Sequence, residues 1–203
     1  EGIDSQFCYT VNHRVSQGFT VYQSEPLGIP NIPQIYNLTD GLDENDILGF
    51  QKLDEKFAYI AECGLVHANS QLFFTDEINN PAYTPEYLRL LARFWVARYG
   101  SYPVLWTVAQ EIDPHCYGTV YPERWYTVAE AIAEFDAYRH PLTAHGANNC
   151  LLTSKNSAWN DKPYHSWFGL QPQEYTLNNT SYLKGFYQIA KPIVCYETGY
   201  EEL

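Results

Sequence analysis

The sequence has 203 residues, 45% of them hydrophobic, enough to close one sizeable core and to read as a single domain over 1–203. Its 24 Asp and Glu against 12 Lys and Arg leave a net charge of −12. That argues against nucleic acid or an anionic membrane as partner, since both favour a basic face. No apolar run approaches the length of a membrane span and no signal-peptide pattern opens the chain, so neither a membrane segment nor a compartment is indicated.

Five scattered cysteines without a C-x-x-C pair read as buried thiols rather than a disulfide framework, with Cys195 inside an apolar strand. The chain holds no methionine and does not open with one, which suggests that it is a piece of a longer sequence or that residues are missing from it. The 18 Tyr, 10 Phe and 5 Trp fit a core of large residues with amphipathic surface tyrosines, or a groove that stacks sugar rings.

In chain order, Asp4 to Ser16 is a weak helical pattern that ends at Gly18, and Phe19 to Gln23 is strand-like. Residues 24–46, with three prolines among Asn, Asp and Gly, form a long loop. Phe50, Leu53, Phe57 and Ile60 recur at helical spacing, and Gly64 closes that helix. Leu65 to Phe74 is the next apolar strand. Thr84-Pro85-Glu86 starts a helix with an apolar face of Leu88, Leu91 and Trp95, ended by Gly100. A buried strand follows Tyr102-Pro103. A helix runs from Pro122 to about Tyr138, and strands follow at Leu142 to His145 and at His165 to Phe168. Thr180 or Ser181 caps a helix to Ala190, and Lys191 to Glu197 is the last strand.

Such alternation implies a parallel sheet. Six strands are legible, so the fold class is α/β, a (β/α)8 TIM barrel whose first and last strands lie outside this chain. An open doubly wound sheet is the other candidate, although no Gly-rich phosphate loop follows any strand.

The stretch Tyr102-Pro-Val-Leu-Trp-Thr-Val-Ala-Gln-Glu-Ile-Asp113 carries the chemistry. A β-branched and aromatic run delivers Gln110, Glu111 and Asp113 at the C-terminal end of a buried strand, where barrel enzymes keep their reactive groups. Leu105, Thr107, Ala109 and Glu111 share one face by alternation. Glu197 ends the last strand three strands further on, most of the way across the mouth of an eight-stranded ring. Two carboxylates facing each other over a pocket suit glycoside hydrolysis, one donating a proton to the leaving oxygen and one attacking the anomeric carbon. Spacing alone leaves this level with a plainer reading, two solvated glutamates at strand ends.

Arg98-Tyr-Gly-Ser-Tyr-Pro-Val-Leu-Trp-Thr-Val-Ala-Gln-Glu111 resembles the fourth-strand signature of the apiosidase-like glycoside hydrolases, a clan A TIM-barrel group. Lys191-Pro-Ile-Val-Cys-Tyr-Glu-Thr-Gly-Tyr-Glu201 is similar to that family's seventh-strand segment, and Trp159 to Gln171, with His165-Ser-Trp-Phe-Gly169, to its sixth-strand loop. The resemblance implies a retaining glycosidase acting on side chains of plant or bacterial polysaccharides or on oligosaccharides, with Glu111 as general acid/base and Glu197 as nucleophile. It implies a carbohydrate as the binding partner and no cofactor. The chain departs from the family in having Gln110-Glu111 where Gly-Asp is frequent; many clan A relatives have Asn-Glu, and the sugar is left open.

Gln110, His145 and His165 are candidates for holding sugar hydroxyls, each equally readable as a structural group. Trp167 shares parity with His165 and is a candidate stacking platform at the mouth. Two other classes stay open. One is a metal-dependent barrel hydrolase using His67, His145, His165 and Asp113, and the other is a catalytically inactive barrel that binds carbohydrate.

Overall fold

The structure is a computed structural model and describes residues 3–24, 44–69, 83–108, 122–146, 158–170, 184–186 and 188–196. Among the described residues the longer helices and the strands run in the order α1 (Ser5–Ser16), β1 (Val21–Ser24), α2 (Glu44–Glu62), β2 (Val66–Asn69), α3 (Pro85–Tyr99), β3 (Val104–Thr107), α4 (Pro122–Phe135), β4 (Leu142–Thr143), β5 (His145–Gly146), β6 (Phe168–Leu170) and β7 (Ile193–Cys195). Every strand pairing is parallel. β4 continues the sheet from β3, and β5, one residue further along the same chain, pairs with β6. A parallel bridge between Leu142 and His165 closes the gap, so the two sheets act as one with six strand positions.

This is the βα alternation of a (β/α)8 barrel, and the six positions are those expected from the sequence. Boundaries shift by a few residues. The first strand is Val21–Ser24 rather than Phe19 to Gln23, and the fourth helix stops at Phe135 rather than Tyr138. β6 starts at Phe168, where the strand expected from His165 was to end. The loop over 24–46 lies largely outside the described residues, and α2 takes its last three positions.

Local chemistry explains the ends. Asp4 caps α1 by accepting from Phe7 N at 2.8 Å, and Thr84 caps α3 by accepting from Tyr87 N at 3.2 Å. Pro85 sits in the first turn of α3, where its missing N–H costs nothing. Gly64 ends the turn after α2 at φ +77°, a left-handed conformation in which a side chain is strained.

Alternation sorts the strand residues onto two faces. Val104, Trp106, Val108, Leu142 and Ala144 turn toward the helices and join Phe50, Phe57, Leu91, Trp95 and Trp125 in the main core. Each large side chain buried there contributes about 1.5–3 kcal/mol relative to exposure. Trp106 keeps its polar end satisfied by donating Nε1–H to buried Asp136 at 2.9 Å. Asp136 also accepts from His140 N at 2.7 Å and Tyr138 N at 3.1 Å, holding the turn between α4 and β4.

The opposite face is concave. Ala68 of β2 packs in one cluster with Leu105 of β3, Trp167 and Tyr196, although Tyr196 follows β7. A flat sheet would hold strands three positions apart at about 14 Å. A short alanine can belong to such a cluster only if the sheet curls around it.

Cys195 corrects one expectation. It lies in β7 as foreseen but is exposed, because no described strand covers that edge of the sheet; Cys8 and Cys63 are half-buried.

Candidate active site

The described strands end just below the residues singled out for chemistry. β3 closes with Thr107 and Val108, and Gln110, Glu111 and Asp113 lie outside the described residues, as does Glu197, the residue after Tyr196. What the structure provides is the floor beneath the C-terminal ends of β3 to β7.

That floor is polar and tied together. Thr107 Oγ1 and Tyr196 Oη lie 2.7 Å apart, both buried, joining β3 to the residue that follows β7. Thr143 Oγ1 donates to Trp167 O at 2.7 Å and accepts from Gly169 N at 3.3 Å, linking β4 to β6. The Tyr196 ring meets His145 at 5.1 Å in an edge-on contact and Trp167 at 5.4 Å. Gly169 makes room for it: a Cβ there would stand 3.4 Å from Tyr196 Cγ and 3.4 Å from Thr143 Cγ2. Trp167 is only 4% exposed, and its buried Nε1–H has no hydrogen-bond partner among the described residues. Leaving such a donor unmade costs about 1–3 kcal/mol.

Of the residues expected to bind sugar, His145 and Trp167 therefore meet around Tyr196 on the concave face. His165 does not join them. Its ring packs on Trp159 at 5.4 Å and Phe168 at 4.9 Å, and Lys191 Nζ is 3.4 Å from its Nδ1. Burial first, then the Lys191 charge, push its pKa down from 6.5 to about 3. The shared parity of residues 165 and 167 fails because the chain bends at Trp167: His165 is still bridged to Leu142, and β6 begins only at Phe168.

The family model for the apiosidase-like catalytic domain matches residues 4–203. The chain belongs to the apiosidase-like family. Solved glycoside hydrolases give it the same fold. A glycoside hydrolase family 5 protein of Bacteroides vulgatus is similar over 98% of this chain and 46% of its own, with 16% identity and a TM-score of 0.76. A second glycoside hydrolase, also 16% identical, covers 100% of this chain and 50% of its own at a TM-score of 0.73. A β-glucuronidase of Bifidobacterium dentium, solved with coumarin-3-O-glucuronide, is 15% identical and covers 100% of this chain and 31% of its own at a TM-score of 0.62. The apiosidase-like chain thus spans half or less of the length of these proteins. No curated protein matches it at a significant level.

Among the described residues of this apiosidase-like domain, His67, His145 and His165 do not converge as a metal-dependent hydrolase would need. His67 faces the helices, its ring edge-on to Phe57 at 4.3 Å and its Nε2 2.7 Å from Ser24 Oγ, whereas His145 faces the concave side. Burial lowers the His67 pKa to about 3. Among the described residues no three His, Cys, Asp or Glu gather to hold a metal, and no helix is long and apolar enough to cross a membrane.

A cleft of about 380 Å³ opens at the other end of β4, lined by Asp136, Arg139, His140, Leu142, Tyr164 and Ser166. That is the N-terminal face of the strands, where barrel residues serve stability rather than catalysis. The residues that sequence reasoning had not singled out for the site are Thr143, Gly169 and Tyr196. Their signal was parity with His145 and with each other, legible only once the strands are in register.

Proposed function

We propose that the chain is the catalytic part of a retaining glycoside hydrolase that acts on side chains of plant or bacterial polysaccharides or on oligosaccharides. Glu111 is the general acid/base and Glu197 the nucleophile. Gln110 and His145 hold sugar hydroxyls, and Trp167 closes the floor under the sugar instead of stacking at the rim.

The observation that carries this reading is the Thr107–Tyr196 hydrogen bond of 2.7 Å. It brings the two strands that lead to Glu111 and Glu197 to opposite sides of one concave surface. By the alternation of the sequence, Glu111 shares the face of Thr107.

Two carboxylates about 5–5.5 Å apart give retention and about 6.5–9.5 Å inversion. A panel of aryl glycosides, followed by NMR of the first-formed product, tests the assignment. The retained anomer is expected, with azide restoring turnover to Glu197→Ala and inverting the product. Glu111→Ala should spare the first step for substrates with good leaving groups, which need little protonation. An inverted anomer from the wild type would remove Glu197 as nucleophile. Sugar binding without turnover by any substrate of the panel would favour the inactive binding barrel.

A further inference from the structure

We infer that the Thr107–Tyr196 hydrogen bond is a cross-barrel tie that fixes the spacing of the two catalytic strands, making Thr107 and Tyr196 positioning residues for the Glu111 and Glu197 pair. The inference rests on the two-glutamate reading and adds to it what holds the pair at its working separation.

The retaining range of about 5–5.5 Å ends only about 1 Å short of the inverting one, and a misplacement of about 1 Å can cost about 100-fold in rate. Something must hold the tops of β3 and β7 that closely. They are not hydrogen-bonded neighbours in the sheet; β4, β5 and β6 lie between them. Among the described residues, the 2.7 Å contact of Thr107 Oγ1 with Tyr196 Oη is the hydrogen bond that joins them directly. Both residues are buried, Thr107 at 2% exposure and Tyr196 at 5%, so water does not compete for it.

The tie is held on both sides. Thr107 is fixed by its strand, in register with Thr143. Tyr196 is pinned by its backbone N, which donates to Leu170 O at 2.7 Å, and by its ring, seated against His145, Trp167 and the bare Cα of Gly169. Glu197 is the next residue in the chain, so any drift of Tyr196 is passed to it through one peptide unit. Glu111 lies four residues beyond Thr107.

A plainer role, a satisfied polar pair in the core, would show in stability alone. The experiment therefore reads catalysis and carboxylate coupling together in the full chain. Tyr196→Phe keeps the ring and removes Oη; Thr107→Val keeps the shape and removes Oγ1; Thr107→Ser keeps the hydroxyl. On an aryl glycoside, Tyr196→Phe and Thr107→Val should each lower kcat about 10-fold to 100-fold with KM changed less than about twofold. The double variant should be no worse than either single, and Thr107→Ser should retain most of kcat. Without any substrate, ¹³C NMR titration of the glutamate carboxyls should find the raised pKa of the Glu111 and Glu197 pair falling by about half a unit or more in Tyr196→Phe, because the repelling carboxylates move apart.

Folded Tyr196→Phe and Thr107→Val proteins with wild-type kcat and an unchanged titration overturn the tie. If Glu197→Ala keeps wild-type activity, or the two carboxyls titrate independently in the wild type, the two-glutamate reading falls, and the tie with it. A dead Glu197→Ala beside a fully active Tyr196→Phe overturns the tie alone.

Discussion

The two faces of one sheet are built from different chemistry. On the helix side, Val104, Trp106 and Val108 of a single short stretch enter a continuous apolar core with Trp95 and Trp125, and the polar end of Trp106, Nε1, is met by Asp136. On the concave side, Thr107 and Thr143 sit in the same register, and their hydroxyls spend themselves on Tyr196 and on the Trp167 carbonyl. The helix side excludes water and holds the barrel wall together; the concave side aligns strand ends with directional bonds. Damage to the first should appear as lost stability, and damage to the second as lost turnover.

The largest effect expected is on the concave side. Glu197→Ala should lower kcat by roughly 10⁴-fold or more, as loss of a nucleophile does elsewhere, with the melting temperature nearly unchanged. A stopped assay on an activated aryl glycoside, run beside a thermal melt, checks both halves. A variant that melts many degrees lower would place Glu197 in the structure rather than the chemistry.

Trp106→Ala is the matching break on the helix side. Removing a 1% exposed indole, and taking one of its donors from Asp136, should destabilise by about 3–5 kcal/mol. Urea unfolding reads that loss, while activity per folded molecule should stay within a few-fold of the wild type. Unchanged stability would mean that the wall does not depend on this contact.

Acid sharpens the contrast next, because the buried histidines His67 and His165 both face the helix side. Their pKa values are lowered from 6.5 to about 3, mainly by burial. The unfolded chain binds these protons more readily than the folded one, so stability is full above about pH 6.5 and is lost as pH falls toward about 3. Each contributes a slope of up to about 1.4 kcal/mol per pH unit in that window. Urea midpoints at pH 7, 6 and 5 should fall accordingly, and a flat series would contradict the burial of both rings.

Gly169→Ala is the smallest test. Its Cβ would stand 3.4 Å from both Tyr196 Cγ and Thr143 Cγ2, within ordinary contact, so stability should change by less than about 1 kcal/mol. A loss of several kcal/mol by urea unfolding would mean that the ring has no slack, and that the floor depends on a bare Cα.

Much of this was legible before any coordinates. Thr84 and Pro85 announced α3, Gly64 the end of α2, and the apolar runs all six strand positions, because caps and periodicity are local signals. The face shared by Leu105 and Thr107 followed from alternation alone. His165 was misjudged on the same rule, since alternation holds only in extended chain and the chain bends at Trp167. The place of Tyr196 was legible only in register, because its partners Thr107, His145 and Trp167 come from other strands or the residue before one.

The sequence by itself determined the order of strands and helices, the parallel sheet that such an order enforces, and the family, carried by the segments around Glu111 and Glu197. These rest on bonded neighbours and short periods, which one chain displays in full. The tertiary structure alone decided which polar side chains meet. The curl of the sheet brings Thr107 within 2.7 Å of Tyr196, 89 residues away, and turns His145 inward while His67 and His165 stay among the helices. Such contacts depend on strand register and on the radius of the barrel, both set by packing between elements that are distant in the chain.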